Sequence, residues 1–183
     1  MKINPDKLRT LAEQAGTTPE QLGAALPRRT ERRKEAEEAV KKVSNWMAGK
    51  NHPAAKAEDV AALARALSCE PKDIVRYTTT YRFARSSPRK ARLLADLIRG
   101  RRIDEAEMLL RFNPKRAAVM VNKALLASRD EAANNNASVE RLIVAETRVD
   151  DSFRIKRFQP KDRGRAHPII KRTCHITVAL EEV

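Results

Sequence analysis

The sequence predicts an α+β domain preceded by a small all-α domain. The α+β part is expected to be a three-stranded antiparallel sheet packed on three helices, with a long protruding β-hairpin. Two changes along the chain predict this: helical spacing of apolar side chains gives way to strand alternation, and a strongly basic segment separates the last two strands. We expect the domains to span residues 1–76 and 77–183, with the hairpin at about residues 152–173.

The composition predicts a folded protein with a polyanionic partner. Hydrophobic residues make up 42% of the 183 residues, which is enough for a core, and the net charge is +14 at pH 7. Residues 1–76 carry a net charge of +4 and residues 77–183 one of +10. A basic chain of this kind favours nucleic acid, so the C-terminal part should hold most of the binding surface.

The cysteines and the hydropathy pattern indicate the compartment. Cys69 and Cys174 are too few for a disulfide framework and fit a reducing cytosol. No apolar run approaches the ~18 residues that a membrane span needs, and the N-terminus lacks the apolar segment of a signal peptide. We expect a cytoplasmic protein without a membrane partner.

The N-terminal domain is predicted to be helical because its apolar residues recur three and four positions apart. Its predicted helices are Leu8–Ala15, Pro19–Leu26, Arg28–Ala48, Ala57–Leu67 and Pro71–Val75. Gly16 and Gly49 end two of them, and Thr17 or Thr18 caps the second. Acids and bases interleave over Arg28–Lys42, which is typical of a solvated helix.

Strand alternation begins at Thr78 and is followed by helices and further strands. The expected elements are a strand to Ala84, helices at Pro88–Gly100, Asp104–Phe112 and Asn113–Ala133, and strands at Leu142–Val149 and Thr173–Leu180. Ser86 or Ser87 is the predicted cap of the first of these helices, and Asp104 with Glu107 resembles a capping box for the second.

The alternation also predicts which side chains share a face. In the first of the last two strands Ile143, Ala145, Thr147 and Val149 should lie on one side. In the final strand the residues expected to face the core are Cys174, Ile176, Val178 and Leu180. Those expected to face outward are Thr173, His175, Thr177 and Ala179.

The basic segment Arg154–Arg172 carries eight cations and a single acid, Asp162. The cations are Arg154, Lys156, Arg157, Lys161, Arg163, Arg165, Lys171 and Arg172. Pro160, Gly164 and Pro168 indicate a turn, and at ~3.3 Å per residue roughly nine residues per side would carry the tip ~30 Å from the base. Such a ribbon is marginal alone in water, so a polyanion should complete it, with RNA the leading candidate.

The helix that begins near Ser87 gives a second argument for RNA. Arg89 and Lys90 lie in its first turn, where the helix dipole disfavours cations by ~0.3–1 kcal/mol each. Arg82, Arg85, Arg92, Arg99, Arg101 and Arg102 crowd the same region. A phosphate at this helix end would reverse the local penalty. The alternative is an ordinary solvated cationic face.

Aromatic residues make up only 4% of the chain, so a broad base-stacking platform is not expected. Phe83, Phe153 and Phe158 are the only well-placed candidates for stacking, and the last two can instead pack within the hairpin. Recognition should therefore depend mainly on phosphate contacts and RNA shape.

The residues that could support catalysis are not arranged for it. Cys174 and His175 are adjacent on a strand and must point to opposite faces. His52, His167 and His175 lie in different segments, and no Cys/His spacing resembles a metal site. We expect no enzyme activity, no metal, no cofactor and no small-molecule substrate.

Four runs in the C-terminal domain resemble a known family. They are ARSSPRKAR at residues 84–92, ADLIRG at 95–100, PKDRGRA at 160–166 and KRTCHITV at 171–178. In order, spacing and length, residues 81–183 resemble the bacterial large-subunit ribosomal proteins of the family numbered twenty-two. The resemblance implies a structural constituent that binds large-subunit rRNA, supports assembly, and lines the nascent-peptide exit tunnel with its hairpin.

The resemblance also implies site residues and partners. The residues expected to contact rRNA are Arg82, Arg85, Ser86, Ser87, Arg89, Lys90, Arg92, Arg99, Arg154, Lys156, Arg157, Lys161, Arg163, Gly164, Arg165, Lys171, Arg172 and His175. Those expected to line the tunnel beside the nascent peptide are Lys161, Asp162, Arg163, Gly164 and Arg165. Neighbouring large-subunit ribosomal proteins are the other expected partners.

The N-terminal domain resembles a Cro-like phage-repressor helix-turn-helix domain. The matching runs are GTTPEQL at residues 16–22, VSNWMAG at 43–49 and LARAL at 63–67. The insert Arg28–Lys42 departs from the pattern, because such domains pass to the recognition helix within a few residues. Docking on rRNA or on a neighbouring ribosomal protein is favoured; the alternative is a DNA-binding transcriptional regulator acting through residues 1–76.

Overall fold

The computed structural model describes residues 2–27 and 33–182. The chain divides into two compact units, residues 1–76 and residues 77–183, and each is described by itself. The part of the predicted charged helix that falls on residues 28–32 lies outside the described residues.

The first unit is built mainly from helices. They are α1 (Pro5–Gln14), α2 (Pro19–Ala25), α3 (Arg33–Met47), α4 (Ala57–Ala66) and α5 (Pro71–Ile74). Thr18, rather than Thr17, caps α2: the Gln21 N–H donates to its hydroxyl at 3.4 Å, and the Thr18 N–H donates to the Gln21 side chain at 3.0 Å. This reciprocal pair satisfies two backbone donors that the helix leaves open.

The core of the first unit brings α2 and α3 into close contact. Its largest fully buried side chains are Leu8, Leu22, Trp46, Leu63 and Ile74. The Trp46 indole N–H donates to the Pro53 carbonyl at 2.7 Å, so its polar atom is satisfied inside the core. At Gly23 a Cβ would lie 2.8 Å from Val40 Cγ2, so only glycine fits this crossing without a shift.

The structure contains one short strand that was not predicted. The first domain is therefore not all-α, and the sheet has four strands instead of three. A short strand, β1 (Lys2–Ile3), pairs antiparallel with Val75 and Arg76 at the start of β2 (Val75–Ala84). Two residues are too few to produce an alternating pattern, so periodicity could not reveal β1. The described strands form a four-stranded sheet in the order β1-β2-β4-β3.

The second unit packs three α-helices against β3 and β4. These elements are α6 (Pro88–Ile98), α7 (Ile103–Arg111), α8 (Arg116–Asn134), β3 (Leu142–Pro160) and β4 (Ala166–Glu182). Leu94, Ile98, Leu125 and Ile176 are fully buried at this layer interface. The Ser128 hydroxyl lies 3.2 Å from the Val178 carbonyl, which ties α8 to the central strand.

The face assignment of β3 is wrong because a bulge interrupts the alternation of this strand. A bulge between Val144 and Glu146 shifts the phase of β3, so Leu142 and Val144 face the core before it and Thr147 and Val149 after it. Ile143 and Ala145 are only half-buried.

The outward face of β4 is also more buried than alternation predicts. Thr173, Thr177 and Ala179 are buried, and only His175 of the four predicted outward residues is half-buried. Strand β4 is flanked by β2 and β3 on both sides, so its small side chains are covered by their neighbours. The Thr177 hydroxyl forms a hydrogen bond of 3.0 Å with that of Thr80 on β2.

The capping pair predicted for α7 does not form. Arg102 is the N-cap residue and its side chain makes no cap hydrogen bond, while Asp104 lies inside the helix. Glu107 instead accepts a hydrogen bond from Arg129 of α8 at 3.3 Å, because α7 and α8 pack side by side. A contact between helices thus competes with the local cap.

The hairpin is a continuation of the central strand β4 and the edge strand β3. β3 and β4 pair from Leu142↔Glu182 through Arg154↔Arg172 to Pro160↔Ala166, with a bulge between Asp151 and Arg154. Residues 161–165 make the turn. Arg163 (φ 57°) and Gly164 (φ 71°) adopt left-handed backbone conformations there.

Candidate nucleic-acid interface

The hairpin is a ribbon of exposed cations. From Arg154 to Arg172 each residue is exposed except Ile155 and Ile169, which are half-buried. Arg154 pairs with Asp151 at 3.1 Å, so its charge is partly compensated. At the turn, the Lys161 N–H donates to the Arg165 carbonyl at 2.7 Å and closes the loop. The tip therefore exposes its side chains on a turn that is closed by a backbone hydrogen bond.

A groove, here called the hairpin groove, lies between the base of the hairpin and the start of α6. Its volume is about 680 Å³. It is lined by Arg85, Ser86, Ser87, Arg116, Ile155, Arg157, Ile170, Lys171, Arg172 and Thr173. Five of these side chains are cationic and none is acidic. Cations that the sequence places far apart are thus brought to one concave surface.

A second groove, here called the helix groove, adjoins the first and has a volume of about 590 Å³. It is lined by Arg85, Ser86, Ser87, Lys90, Leu93, Lys115, Arg116 and Ala117. Arg85, Ser86, Ser87 and Arg116 line both grooves. The two grooves therefore form one continuous basic surface around the start of α6.

Two helices begin at this surface, and both lack the groups that normally neutralise a helix N-terminus. The N-cap residues are Ser87 for α6 and Lys115 for α8, and neither side chain makes a cap hydrogen bond. Neither helix has an acid in its first turn. The positive ends of both helix dipoles thus add to the cations, which favours binding of anions such as phosphates.

Lys115 and Arg116 are groove residues that the sequence prediction missed. They open α8, with Arg116 in its first turn and no acid beside it. A cation in the first turn of a helix without a nearby acid also singled out Arg89 and Lys90 in α6. The same pattern in the sequence could have predicted Arg116. What the sequence could not show is that the two helix N-termini lie at one surface.

Arg92 and Arg99, which are expected to contact rRNA, are exposed and also form hydrogen bonds within the domain. The Arg92 guanidinium donates to the Val149 carbonyl from Nε at 3.3 Å and from Nη2 at 3.2 Å. Arg99 donates to the Thr147 hydroxyl at 3.2 Å and to the Thr147 carbonyl at 2.9 Å. The hydrogen bonds of each arginine side chain therefore hold α6 against β3.

The remaining predicted residues differ in their surroundings. Arg82, Arg89 and Lys90 are exposed. His175 is half-buried, and its Nδ1 accepts a hydrogen bond from the Phe83 N–H at 3.2 Å. The imidazole therefore carries its proton on Nε2 when it is neutral.

The two thiols are held in their neutral form. Burial, followed by the charge of Asp151, raises the pKa of Cys174, and nearby Arg92 partly opposes this. Burial and then Asp73 raise the pKa of Cys69. A raised pKa lowers the thiolate fraction at neutral pH, so neither thiol is arranged as a nucleophile.

Within residues 2–27 and 33–182, no helix has the length and apolar character needed to cross a membrane. In the same ranges, no three His, Cys, Asp or Glu side chains are grouped so that they could hold a metal ion.

Comparison with known proteins identifies the relatives of the second unit. Three of the curated relatives that the chain matches carry the name "Large ribosomal subunit protein uL22". The chain is 41% identical to that of Clostridium novyi over 102 residues, 55% of this chain and 92% of the relative. It is 43% identical to that of Caldicellulosiruptor saccharolyticus over 111 residues, 60% of this chain and 91% of the relative. For Thermotoga sp. (strain RQ2) the identity is 47% over 102 residues, 55% of this chain and 64% of the relative.

The family comparison agrees with these relatives. Residues 79–181 match the sequence model of the family described as "Ribosomal protein L22p/L17e". The matched range is more than half of the chain and contains both grooves and the whole hairpin. The chain therefore belongs to the ribosomal protein L22p/L17e family.

Proposed function

We propose that this protein is a structural constituent of the large ribosomal subunit that binds the large-subunit rRNA and supports its assembly. One observation carries the proposal beyond family membership. The hairpin base and two uncapped helix N-termini meet at Arg85, Ser86, Ser87 and Arg116, where five cations and no acid line the hairpin groove. Such a surface suits the phosphate backbone of RNA.

The proposed contacts divide into two sets. The exposed cations of the two grooves and of the hairpin bind rRNA phosphates, with Arg82, Arg89 and His175 beside them. Arg92 and Arg99 are exposed as well, and their hydrogen bonds also hold α6 on β3. The tip, residues 161–165, lines the exit tunnel beside the nascent peptide and adjoins a neighbouring ribosomal protein. The protein acts in the cytoplasm, within the ribosome.

Residues 1–76 are proposed to be a separate domain that docks on rRNA or on a neighbouring ribosomal protein. This unit carries a net charge of only +4, with acids and bases interleaved. The family match begins at residue 79 and so does not include it. The helix-turn-helix resemblance stays a prediction, and DNA binding is not favoured.

Cosedimentation of the tagged full-length chain with large subunits tests the proposal. The protein should stay with the large-subunit fraction after a high-salt wash, because many phosphate contacts and a threaded hairpin hold it. Complete release to the top of the gradient would contradict the proposal.

A variant with Arg163→Gln and Arg165→Gln tests the role of the tip. Both side chains are exposed at the turn, so thermal unfolding of the free protein should be unchanged while incorporation into subunits falls. Unfolding of the free variant would show instead that the tip stabilises the fold.

A further inference from the structure

Three aromatic rings meet at the base of the hairpin, one from each strand of the second unit. The Phe83 ring on β2 lies with its centroid 5.6 Å from that of Phe153 on β3, at an interplanar angle of 60°. The His175 ring on β4 lies 4.8 Å from Phe83 in an edge-on arrangement at 70°. We propose that this aromatic cluster is a stacking site for one unpaired nucleobase of RNA, an inference that rests on the proposed rRNA binding.

Two β-bulges bring the cluster together. On β2 the pairing with β4 shifts between Tyr81 and Ala84, and Phe83 lies in this interval. On β3 it shifts between Asp151 and Arg154, and Phe153 lies there. Both bulges thus fall beside the same short stretch of the central strand. Bulges of this kind re-aim side chains and are over-represented at functional sites.

The backbone of Phe83 is held in an unusual conformation. Its φ is 57°, in the left-handed region that bulky residues rarely adopt. The Phe83 N–H, which the bulge removes from the strand ladder, donates to His175 Nδ1 at 3.2 Å. His175 therefore both accepts the hydrogen bond from the Phe83 backbone and contacts the Phe83 ring. Strained positions of this type persist where the surrounding structure fixes them, often at ligand sites.

Packing within the cluster leaves much of both phenyl rings open to solvent. Phe83 is 54% exposed and Phe153 is 57% exposed, although the two rings touch. Folding alone gains little from orienting rings that remain this exposed. A planar ligand that stacks on them would remove that apolar surface from water.

Charge near the cluster favours a nucleotide over an apolar peptide side chain. Arg82 and Arg85 flank Phe83 closely in sequence, and both are exposed. Two acids of β3 lie nearby, and each is paired with an arginine: Asp150, opposite His175, with Arg148 at 3.0 Å, and Asp151 with Arg154 at 3.1 Å. With Nδ1 accepting from the Phe83 N–H, His175 Nε2 offers a further donor. A base on the rings with its phosphate on an arginine would use both features together.

The full-length chain can be tested with two RNA probes of equal length. One is single-stranded oligoadenylate and the other is the same backbone with abasic riboses, both measured by fluorescence anisotropy at one ionic strength. The wild-type chain should bind oligoadenylate about 5- to 150-fold more tightly, the change that one base–aromatic stack produces. Phe83→Gly should lose most of that preference while its affinity for the abasic probe stays the same.

The variants are chosen to keep the fold. Glycine adopts the left-handed conformation of residue 83 without strain, so Phe83→Gly removes the ring and relaxes the backbone. Phe153→Leu is the second test variant and keeps an apolar side chain at the other bulge. Phe112→Leu is the matched control, because Phe112 is 82% exposed at the end of α7 and outside the cluster. The control should retain the full preference for oligoadenylate.

The possible results separate this inference from the proposed function. Equal wild-type affinity for both probes, or an unchanged preference in folded Phe83→Gly and Phe153→Leu, would overturn the stacking site and leave phosphate binding intact. Failure of the wild-type chain to bind either probe would count against the proposed function and remove the basis of the inference with it.

Discussion

The two arginines that line both grooves give the sharpest test of the proposed interface. Arg85 and Arg116 are exposed, and neither side chain forms a hydrogen bond or ion pair with a residue that the structure describes. Replacing both with glutamine keeps most of their bulk and removes two positive charges. The free protein should therefore lose RNA affinity without losing stability.

The expected loss follows from counterion release. Each phosphate contact contributes about 0.7 to 0.9 to the slope of log K against log salt, so two contacts contribute about 1.4 to 1.8. If this contribution vanishes near 1 M salt, the double variant should bind about 25- to 60-fold more weakly at about 0.1 M salt. Thermal unfolding should change by less than about 0.5 kcal/mol, as is usual for surface substitutions.

The assay is a salt titration of full-length protein binding to large-subunit rRNA. A control variant, Arg111→Gln with Arg141→Gln, makes the same change in net charge at exposed positions outside both grooves. Its salt slope should stay close to that of the wild type. Equal slopes for the two double variants would refute the assignment, because the effect would then reflect net charge alone.

Further predictions concern stability. Arg99→Gln should destabilise the fold by about 1–2 kcal/mol in urea, because it removes the bonds to Thr147 from a half-exposed side chain; an unchanged midpoint would mean that they contribute nothing. Gly23→Ala should cost about 1–3 kcal/mol, because the added Cβ would meet Val40 at 2.8 Å, and a neutral effect would show that α3 yields. Burial raises the pKa of Cys174, so the fold favours the neutral thiol, and stability should fall as the pH rises above the ordinary thiol pKa of about 8.5 and through the raised folded-state pKa. Cys174→Ala should flatten this part of the pH profile, and an identical profile would contradict the assignment.

Periodicity and cap residues predict most of the described elements. Pro88 after Ser87 marks the start of α6, and the left-handed Gly100 follows its end, as expected from the sequence. The short strand β1 and the bulge at Val144 could not be predicted in this way. The first has too few residues to show a period, and the second depends on which residues pair across strands.

The candidate interface likewise has some features that the sequence shows and others that depend on tertiary packing. The basic composition of the hairpin and of the start of α6 is visible in the sequence. The hydrogen bonds of neighbouring arginines are not visible there: Arg89 and Arg92 are both exposed, but Arg92 also donates to the Val149 carbonyl. Arg116 likewise joins the grooves only because α8 begins beside α6. Helical spacing predicts which face of its helix a residue lies on. The group that the side chain contacts depends on which element packs against that face.

The uninterrupted pairing from Arg154↔Arg172 to Pro160↔Ala166 means that the reach of the hairpin can change only in discrete steps. One extra residue in each strand would advance the turn by about 3.3 Å and invert the faces of the tip side chains. Two extra residues in each strand would restore the faces and advance the turn by about 6.6 Å. An unmatched insertion would bend the ribbon. Length changes that preserve the orientation of the tip should therefore come four residues at a time.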